Sequence, residues 1–375
     1  MKLCVFPNDP ILSYYEKGEI KDRYFNPNNI FDEIDIISFT TNEVKESKVQ
    51  AIAGNAKLKI HCLGKVNFLK KSTKKNEVLK LVKKIKPDVI RAYNPLIAGW
   101  MAAYCSKKLN IPLFVSLHVQ YDGLRKLIKT KNYKKYLALK YSRKKIEPYV
   151  LSNANKITAV YKIIDPYVVE LSGKHPEIIY NRVDLKRFKV GKKIKNFDKP
   201  LIISVCRLTP QKNPDILIEA IKDLDVYLEI IGDGELKESL IKLVKKLGIE
   251  KKVIFTPSVP NIQIQDYYKS ANLFALPYDP QIEGLPIPVL EAMASGLPVV
   301  IPHPLQGLSD GLEDSVAFTG LDPKSFSFKI KKILEDKNYA QSLSTKAIEK
   351  SMEFDGIKME SREAKIYEEL VGPIN

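Results

Sequence analysis

Residues 273–301 read LFALPYDPQIEGLPIPVLEAMASGLPVVI and contain a complete strand–helix–strand unit. The apolar run at 273–276 is typical of a buried strand, and Pro286 is suited to the first turn of a helix. Gly296 ends that helix before a second apolar run at 298–301, because glycine readily adopts the left-handed backbone common after helices. The pattern predicts two parallel strands joined by a helix, with a loop at 277–285 beyond the carboxyl end of the first strand.

The same alternation extends over the whole chain. Predicted strands occupy 3–6, 35–39, 59–63, 89–93, 113–117 and 156–160 in the first half, and 201–205, 227–231, 252–255, 273–276, 298–301 and 316–318 in the second. Amphipathic stretches lie between them, among others at 77–86, 214–224, 235–247 and 286–294. Alternating β and α elements with Val- and Ile-rich strands predict parallel sheets covered by helices. We therefore expect an α/β protein with two doubly wound domains.

Length and composition agree with that expectation. A chain of 375 residues favours two domains. The Lys-rich segment 190–200 is the predicted linker, which places the domains at 1–192 and 193–354, and a further amphipathic helix is predicted at about 355–375. No run approaches the roughly 18 apolar residues of a membrane span, and no apolar signal segment follows Met1, so a cytoplasmic location is expected. The four cysteines have no metal-ligand spacing and indicate buried thiols in a reducing compartment.

Charge is divided unevenly along the chain. Residues 1–199 contain 41 Lys and Arg against 18 Asp and Glu, a net charge of +23, whereas the remainder carries −6. The first half is therefore expected to meet an anionic partner. Within it, residues 125–145 contain ten cations interleaved with Leu, Ile and Tyr, a composition typical of an interfacial helix on anionic lipid. A solvated helix face is the alternative interpretation.

Two cations in the second half are candidates for phosphate binding. Arg207 and Lys212 follow the predicted strand 201–205 and precede a helix that begins at Pro214. This arrangement suits a diphosphate, since Arg offers a bidentate fork, Lys a point charge and the helix start free N–H groups. Two solvated loop cations are the alternative. The nearby Gly232-Asp233-Gly234 lacks the third glycine of a dinucleotide-binding fingerprint and is interpreted as a tight turn.

Two carboxylates accompany the strand–helix–strand unit quoted above. Glu283 lies in the loop at the carboxyl end of the strand, and Glu291 about one turn into the helix. Their spacing alone is uninformative, because Glu360 and Glu368 repeat it. Their placement at the edge where open α/β sheets bind ligands favours contacts with hydroxyl groups on two parts of one elongated ligand.

Together with the Arg207–Lys212 loop, this block resembles the retaining glycosyltransferases of family 4, which have the GT-B fold of two Rossmann-like domains facing across a cleft. The resemblance is strong over about 180–320 and weaker over nearly all the rest. It implies that Arg207 and Lys212 hold the donor diphosphate, that Glu283 contacts the donor sugar and that Glu291 contacts the ribose. It also implies backbone N–H contacts to the donor from Gly284, Leu285 and Ile287.

Two further segments carry the resemblance. His118 ends the predicted strand 113–117, as does a family histidine that faces the donor sugar near its anomeric centre. Residues 181–184, Asn-Arg-Val-Asp, resemble the family's Asn-Gly-Val-Asp. The sequence departs from the family at Cys206, where glycine is usual, and after the first strand, where Pro7 to Pro10 replace a glycine-rich loop.

The resemblance implies a retaining transfer of a sugar from a UDP- or GDP-sugar, with no metal and no cofactor. The basic first half predicts a lipid-linked or other anionic glycan acceptor and a peripheral position on the inner face of the cell membrane. A GT-B sugar-nucleotide epimerase is one alternative, against which the paired-glutamate block argues. A nucleic-acid-binding protein, suggested by the pI of 9.4, is a remote alternative, and no nucleic-acid partner is expected.

Overall fold

The computed structural model describes residues 1–66 and 71–372, and this part of the chain forms two compact units. The first unit contains the residues up to Tyr180 and those from Met359 onward, and the second contains Asn181–Lys358. Each unit is built on one parallel β-sheet with helices between most of its successive strands.

The described part of the first unit contains a seven-stranded sheet. Its strands are β1 Lys2–Phe6, β2 Glu33–Ser38, β3 Lys57–Cys62, β4 Val89–Ala92, β5 Leu113–Leu117, β6 Lys156–Ala159 and β7 Glu177–Ile178. Their spatial order is β3-β2-β1-β4-β5-β6-β7, and all pairs are parallel. The helices preceding the second unit are α1 Ile11–Glu16, α2 Glu46–Val49, α3 Lys71–Ile85, α4 Ile97–Leu109, α5 Tyr121–Lys131, α6 Tyr133–Lys145, α7 Glu147–Asn153 and α8 Asp165–Ser172.

The second unit contains a six-stranded parallel sheet in the order β10-β9-β8-β11-β12-β13. Its strands are β8 Leu201–Val205, β9 Tyr227–Ile231, β10 Val253–Thr256, β11 Leu273–Ala275, β12 Val299–Pro302 and β13 Ala317–Thr319. Its helices are α9 Leu185–Lys189, α10 Pro214–Ala220, α11 Lys237–Leu247, α12 Ile264–Ser270, α13 Ile287–Ala294, α14 Pro323–Glu335 and α15 Lys337–Ser351. In both sheets the order reverses at a central strand, which is the doubly wound arrangement expected from the sequence.

The last helix, α16 Gly356–Val371, completes the core of the first unit. Its Met359, Ile366 and Tyr367 are buried together with Leu3 and Phe114 of the sheet. The helix predicted at 355–375 is thus observed over most of its length, and residues 373–375 lie outside the described part of the chain.

The first unit ends at Tyr180, earlier than the predicted limit at 192. Helix α9 explains the difference, because its Phe188 is fully buried and packs edge-on against Tyr268 of the second unit, with ring centroids 5.8 Å apart. The second unit therefore includes the eight cations of 181–199. It carries 26 Lys and Arg against 24 Asp and Glu and is close to neutral, so the acidic character of the second half does not extend to the folded unit.

The cation-rich segment 125–145 forms two helices instead of the single interfacial helix predicted from its composition. Asn132 has extended backbone angles, φ −152° and ψ 92°, which end α5 and begin α6. Its side-chain oxygen accepts a hydrogen bond from the Lys135 N–H at 3.0 Å and caps α6.

Cys4, Cys105 and Cys206 are buried, Cys62 is exposed, and all four are free thiols. Among the described residues, no helix is both long enough and apolar enough to cross a bilayer.

Candidate active site

The predicted phosphate loop is held by two glycines that sequence reasoning interpreted only as a turn. A Cβ on Gly232 would lie 2.0 Å from the Cys206 carbonyl oxygen, and a Cβ on Gly234 would lie 2.4 Å from that of Leu208. Only glycine allows this approach. The Leu208 N–H also donates to the backbone carbonyl oxygen of Asp233 at 2.9 Å. The glycine turn therefore fixes the backbone on both sides of Arg207.

Lys212 and Glu283, predicted separately, form an ion pair in the structure. Lys212 lies in a 3₁₀ turn, Pro210–Lys212, and its side chain is only 9% exposed, against 19% for Glu283. The loops that carry them are joined by the Asn213 amide, which donates to the Pro277 carbonyl at 2.9 Å. Arg207, by contrast, is exposed, and its guanidinium makes no hydrogen bond or ion pair with the described part of the chain.

The start of α13 provides backbone donors next to Glu283. No side chain caps this helix, and Pro286 stands at its N-cap position. The N–H groups of Gly284, Leu285 and Ile287 make no backbone hydrogen bond in the described turns and caps. The Tyr278 hydroxyl donates to the Gly284 carbonyl at 2.7 Å and fixes this loop. Unpaired N–H groups at a helix start attract anions, and the buried Lys212 adds a full positive charge on the adjoining loop.

Glu291 is 6% exposed, and it is oriented by a tyrosine that the sequence did not reveal. The Tyr268 hydroxyl donates to Glu291 Oε2 at 3.0 Å. Burial, with the neighbouring Glu291 carboxylate adding to it, raises the pKa of Tyr268 well above its usual range, so the phenol stays a donor. Tyr268 is 23 residues from Glu291, and no local pattern links the two.

His118 lies in the first unit, at the end of β5, whereas the other seven predicted site residues lie in the second unit. Its ring stacks on Tyr93, with centroids 5.5 Å apart and planes inclined by 26°. Its carbonyl oxygen accepts a hydrogen bond from the Tyr161 hydroxyl at 3.1 Å. Burial, with the positive charges of Arg91 and Lys21 adding to it, lowers the pKa of His118 to about 4.

The segment after β1, where the family has its glycine-rich loop, is occupied by an internal carboxylate. Glu43 accepts hydrogen bonds from the N–H groups of Ile11 and Leu12 at 3.0 and 2.6 Å, and from the Ser38 hydroxyl at 2.6 Å. The amides that open α1 are therefore already satisfied by a negative charge. Among the described residues, no group of three or more His, Cys, Asp and Glu has the geometry of a metal site.

Helices α5 and α6 separate the ten predicted surface cations into two kinds. Arg125 is buried and binds Glu147 and Asp122 at 2.9 and 2.6 Å, and Arg143 binds Asp122 at 3.0 Å. These two arginines are structural. The eight lysines are all exposed within the described chain: Lys126, Lys129, Lys131, Lys134, Lys135, Lys140, Lys144 and Lys145.

Three apolar or aromatic side chains lie exposed among these lysines. Tyr133, Leu137 and Tyr141 are 61%, 46% and 48% exposed, and their spacing of four residues places them on one side of α6. No Asp or Glu occurs between Asp122 and Glu147. We call the eight lysines and these three side chains the basic face.

The two doubly wound parallel sheets identify the GT-B fold, and two family matches identify a glycosyltransferase. Residues 186–350 match the family Glycosyl transferases group 1, and residues 33–187 match Glycosyltransferase Family 4. The two matches together span residues 33–350, so the chain belongs to the group 1, family 4 glycosyltransferases, as the sequence predicted. The structure of HepE from Anabaena in complex with UDP has a TM-score of 0.74 at 16% identity, covering 98% of this chain and 99% of that one. At this identity the likeness establishes the fold alone.

Sequence relatives carry glycosyltransferase names. A GDP-mannose-dependent alpha-(1-6)-phosphatidylinositol monomannoside mannosyltransferase of Mycolicibacterium smegmatis is 34% identical over 129 residues, which is 32% of each chain. An uncharacterized glycosyltransferase of Methanocaldococcus jannaschii is 26% identical over 288 residues, which is 76% of each chain. The similarity to the named mannosyltransferase therefore covers about a third of that enzyme's length.

Proposed function

We propose that the protein transfers a sugar from a nucleotide-diphosphate sugar bound by the second unit. The observation that carries the proposal is the Lys212–Glu283 pair beside the uncapped start of α13. A bound donor diphosphate replaces Glu283 as the ion-pair partner of Lys212 and accepts hydrogen bonds from the N–H groups at the start of α13. The Glu283 carboxylate can then accept hydrogen bonds from hydroxyl groups of the sugar. Arg207, exposed on its glycine-supported loop, supplies a second cation.

The transfer proceeds without a metal and with retention of the anomeric configuration. Two cations and the helix amides neutralise the charge that develops on the departing diphosphate, which is the role a divalent ion would otherwise fill. Tyr268 holds Glu291 for the ribose, and His118 assists at the sugar. Retention is proposed from the family, through attack on the face from which the diphosphate leaves.

The donor is a UDP- or a GDP-sugar. HepE was solved with UDP, and the mycobacterial relative is named as GDP-mannose-dependent, so the two bases are supported by different relatives. None of the contacts described above involves the base. A panel of UDP- and GDP-sugars therefore decides the donor.

The acceptor is a lipid-linked or other anionic glycan, and the protein works at the inner face of the cell membrane. The basic face supports this part of the proposal, because eight lysines, an aliphatic and two aromatic side chains lie exposed on two successive helices whose sequence contains no acidic residue after Asp122. Lysines draw a protein to anionic lipid, and Tyr and Leu insert at the headgroup level.

The proposal is tested by titrating the full chain with UDP and GDP in a calorimeter, with and without excess EDTA. We expect one of the two nucleotides to bind saturably, with an affinity that EDTA does not change. When the sugar conjugate of that nucleotide is supplied, the protein should release the nucleotide as a product. Failure to bind both UDP and GDP would contradict the donor site. Binding that disappears in EDTA and returns with magnesium or manganese would contradict the metal-free mechanism.

A further inference from the structure

A buried cation in the first unit has no role in the donor site proposed above. Arg91 in β4 is 3% exposed, and a guanidinium is stable at such a position only with compensating partners. Glu363 of α16 supplies the opposite charge at 3.1 Å. The Arg91 guanidinium also donates to the Ser116 hydroxyl of β5 at 2.6 Å. Arg91 therefore joins the C-terminal helix to two central strands.

The same guanidinium is enclosed by aromatic rings that lead to His118. It lies 3.5 Å from the ring centroid of Phe114 and 4.7 Å from that of Tyr93. Tyr93 in turn stacks on the imidazole of His118. Tyr93 is thus in contact with both the buried cation and the histidine.

The backbone supplies a second connection. Ser116, which accepts the hydrogen bond from Arg91, lies in β5 and precedes His118 by two residues. The Ser116 hydroxyl is also 2.6 Å from the Thr158 hydroxyl of β6. The end of β5 is therefore held from both neighbouring strands at the point where His118 follows.

The charges around His118 favour its neutral form. Burial is the first cause of its low pKa, Arg91 and Lys21 act in the same direction, and Glu363 acts in the opposite direction. Because the pKa is lowered to about 4, the ring is neutral at physiological pH and gains a proton only under acid conditions. His118 Nε2 is buried and has no hydrogen-bond partner within the described part of the chain.

We propose that Arg91, balanced by Glu363, is a positioning residue that orients His118 and adds to burial in favouring its neutral form, so that Nε2 can accept a hydrogen bond from a sugar hydroxyl. A neutral imidazole has one accepting nitrogen, whereas an imidazolium only donates. An imidazolium would also oppose the positive charge that develops on the sugar carbon during transfer. The inference rests on the proposed function for the sugar that His118 would contact.

The test is a pH titration of the histidine resonances of the full chain by NMR. The chain has four histidines, so His118→Gln assigns the signal. We expect the wild-type His118 signal to keep its neutral position from about pH 8 to about pH 5, below the ordinary histidine midpoint of about 6.5. Arg91→Gln removes a positive charge and leaves Glu363, so the midpoint rises by about one pH unit or more.

Glu363→Gln is the opposing variant. It removes the one nearby charge that favours the imidazolium, so the midpoint stays at or below that of the wild type. The control is Arg362→Gln on the same helix, which breaks the ion pair with Glu177 of β7 and should leave the midpoint unchanged. Opposite responses to Arg91→Gln and Glu363→Gln distinguish an electrostatic role from a loss of packing.

Arg91→Gln strands a buried carboxylate, so Arg91→Met with Glu363→Met serves where the single variant does not fold. This double variant should raise the midpoint less than Arg91→Gln does. A wild-type midpoint near 6.5, or movement in the same direction with Arg91→Gln and Glu363→Gln, would overturn the proposal. The NMR result needs no donor or acceptor, and so it stands apart from the fate of the transfer assay.

Discussion

Lys212 shows how one buried charge is kept available for a ligand. Its side chain is 9% exposed, so the ammonium ion needs a counter-charge at all times, and Glu283 supplies one while no donor is bound. In the proposed function, exchange of that carboxylate for a diphosphate would leave the buried lysine paired in both states. The ion pair would thus hold Lys212 at the proposed phosphate position before a ligand binds.

We predict that Lys212→Ala and Glu283→Gln fail in different ways. Lys212→Ala should weaken binding of the nucleoside diphosphate at least about 10-fold, because a charge-assisted contact to the phosphates is lost. The affinity for the nucleoside without phosphates should not change. Glu283→Gln should abolish transfer but retain nucleoside diphosphate binding, because its carboxylate is assigned to the sugar. Calorimetry and a transfer assay measure the two effects.

Lys237→Ala is the matched control, since it removes an exposed lysine paired with Asp233 in the same unit. Wild-type turnover in either of the two site variants would refute the assignment.

The residues that the sequence did not reveal act on the predicted ones through distant partners. Glu283, Glu291, Arg207 and Lys212 were predicted because strand, loop, glycine and proline surround them in order along the chain. Tyr268 was not predicted, because it lies in α12 and only the folded structure brings its hydroxyl to Glu291 of α13. Glu43 likewise meets Ile11 across 32 residues of sequence. Such contacts depend on how the elements fold together, and no local spacing encodes them.

At the scale of elements, α6 carries both of the features that the proposed membrane docking needs, exposed lysines and an exposed apolar row. Its lysines would supply attraction to anionic lipid, on the order of 1 kcal/mol for each cation near the surface. Tyr133, Leu137 and Tyr141 supply exposed apolar area that the protein itself does not cover. A helix face that only meets water gains nothing from a row of exposed apolar side chains, so this row favours membrane docking over a simply solvated face.

We predict that the charge and the apolar row contribute separately to docking. Replacement of Lys134, Lys135, Lys144 and Lys145 by Gln should abolish most sedimentation with phosphatidylglycerol vesicles. Tyr133→Ser with Leu137→Ser and Tyr141→Ser should leave binding at low salt but make it far more sensitive to roughly 0.5 M salt, which screens the charges.

The control for these variants is a set of exposed lysines in the second unit changed to Gln: Lys242, Lys245, Lys246 and Lys251. Equal loss of binding in this set would show that total charge matters and not α6. Unchanged binding in both α6 variants would reduce the helix to a solvated face.

Elements were predicted best where burial is continuous. Strands β5, β8 and β9 have the predicted limits, because apolar β-branched runs lie between polar segments. The two-residue strand β7 was missed, since its pairing with β6 and not its composition makes it a strand. The break between α5 and α6 was also missed, because one Asn in a Lys-rich helical pattern has little effect on periodicity.

At the scale of the whole molecule, the first unit is discontinuous along the chain. Residues from Met359 onward supply buried side chains to its core and Glu363 to Arg91. The second unit is one continuous segment, and its strands and helices and seven of the eight predicted site residues lie within 181–358. The first unit therefore needs α16 to complete its core, whereas the second unit does not need the residues after Lys358.

We predict that in a chain truncated after Lys358 the first unit unfolds while the second unit stays folded. Removal of Met359, Ile366 and Tyr367 uncovers one side of the core and leaves Arg91 without a counter-charge, each a large destabilisation. Limited proteolysis should then cut the first unit rapidly and leave a resistant fragment beginning near 181. Nucleotide binding to that fragment should be retained. Equal resistance of both units would contradict the role assigned to α16.

The discontinuity also fixes an order of events on the ribosome. Proteins are made from the N-terminus, and domains usually fold in the order in which they emerge. Here the first 180 residues emerge long before the helix that closes their core, while the second unit is complete once residue 358 is released. The part of the enzyme made first is thus finished last, and during that delay its incomplete, cation-rich chain is exposed to chaperones and to the anionic surfaces of the cell.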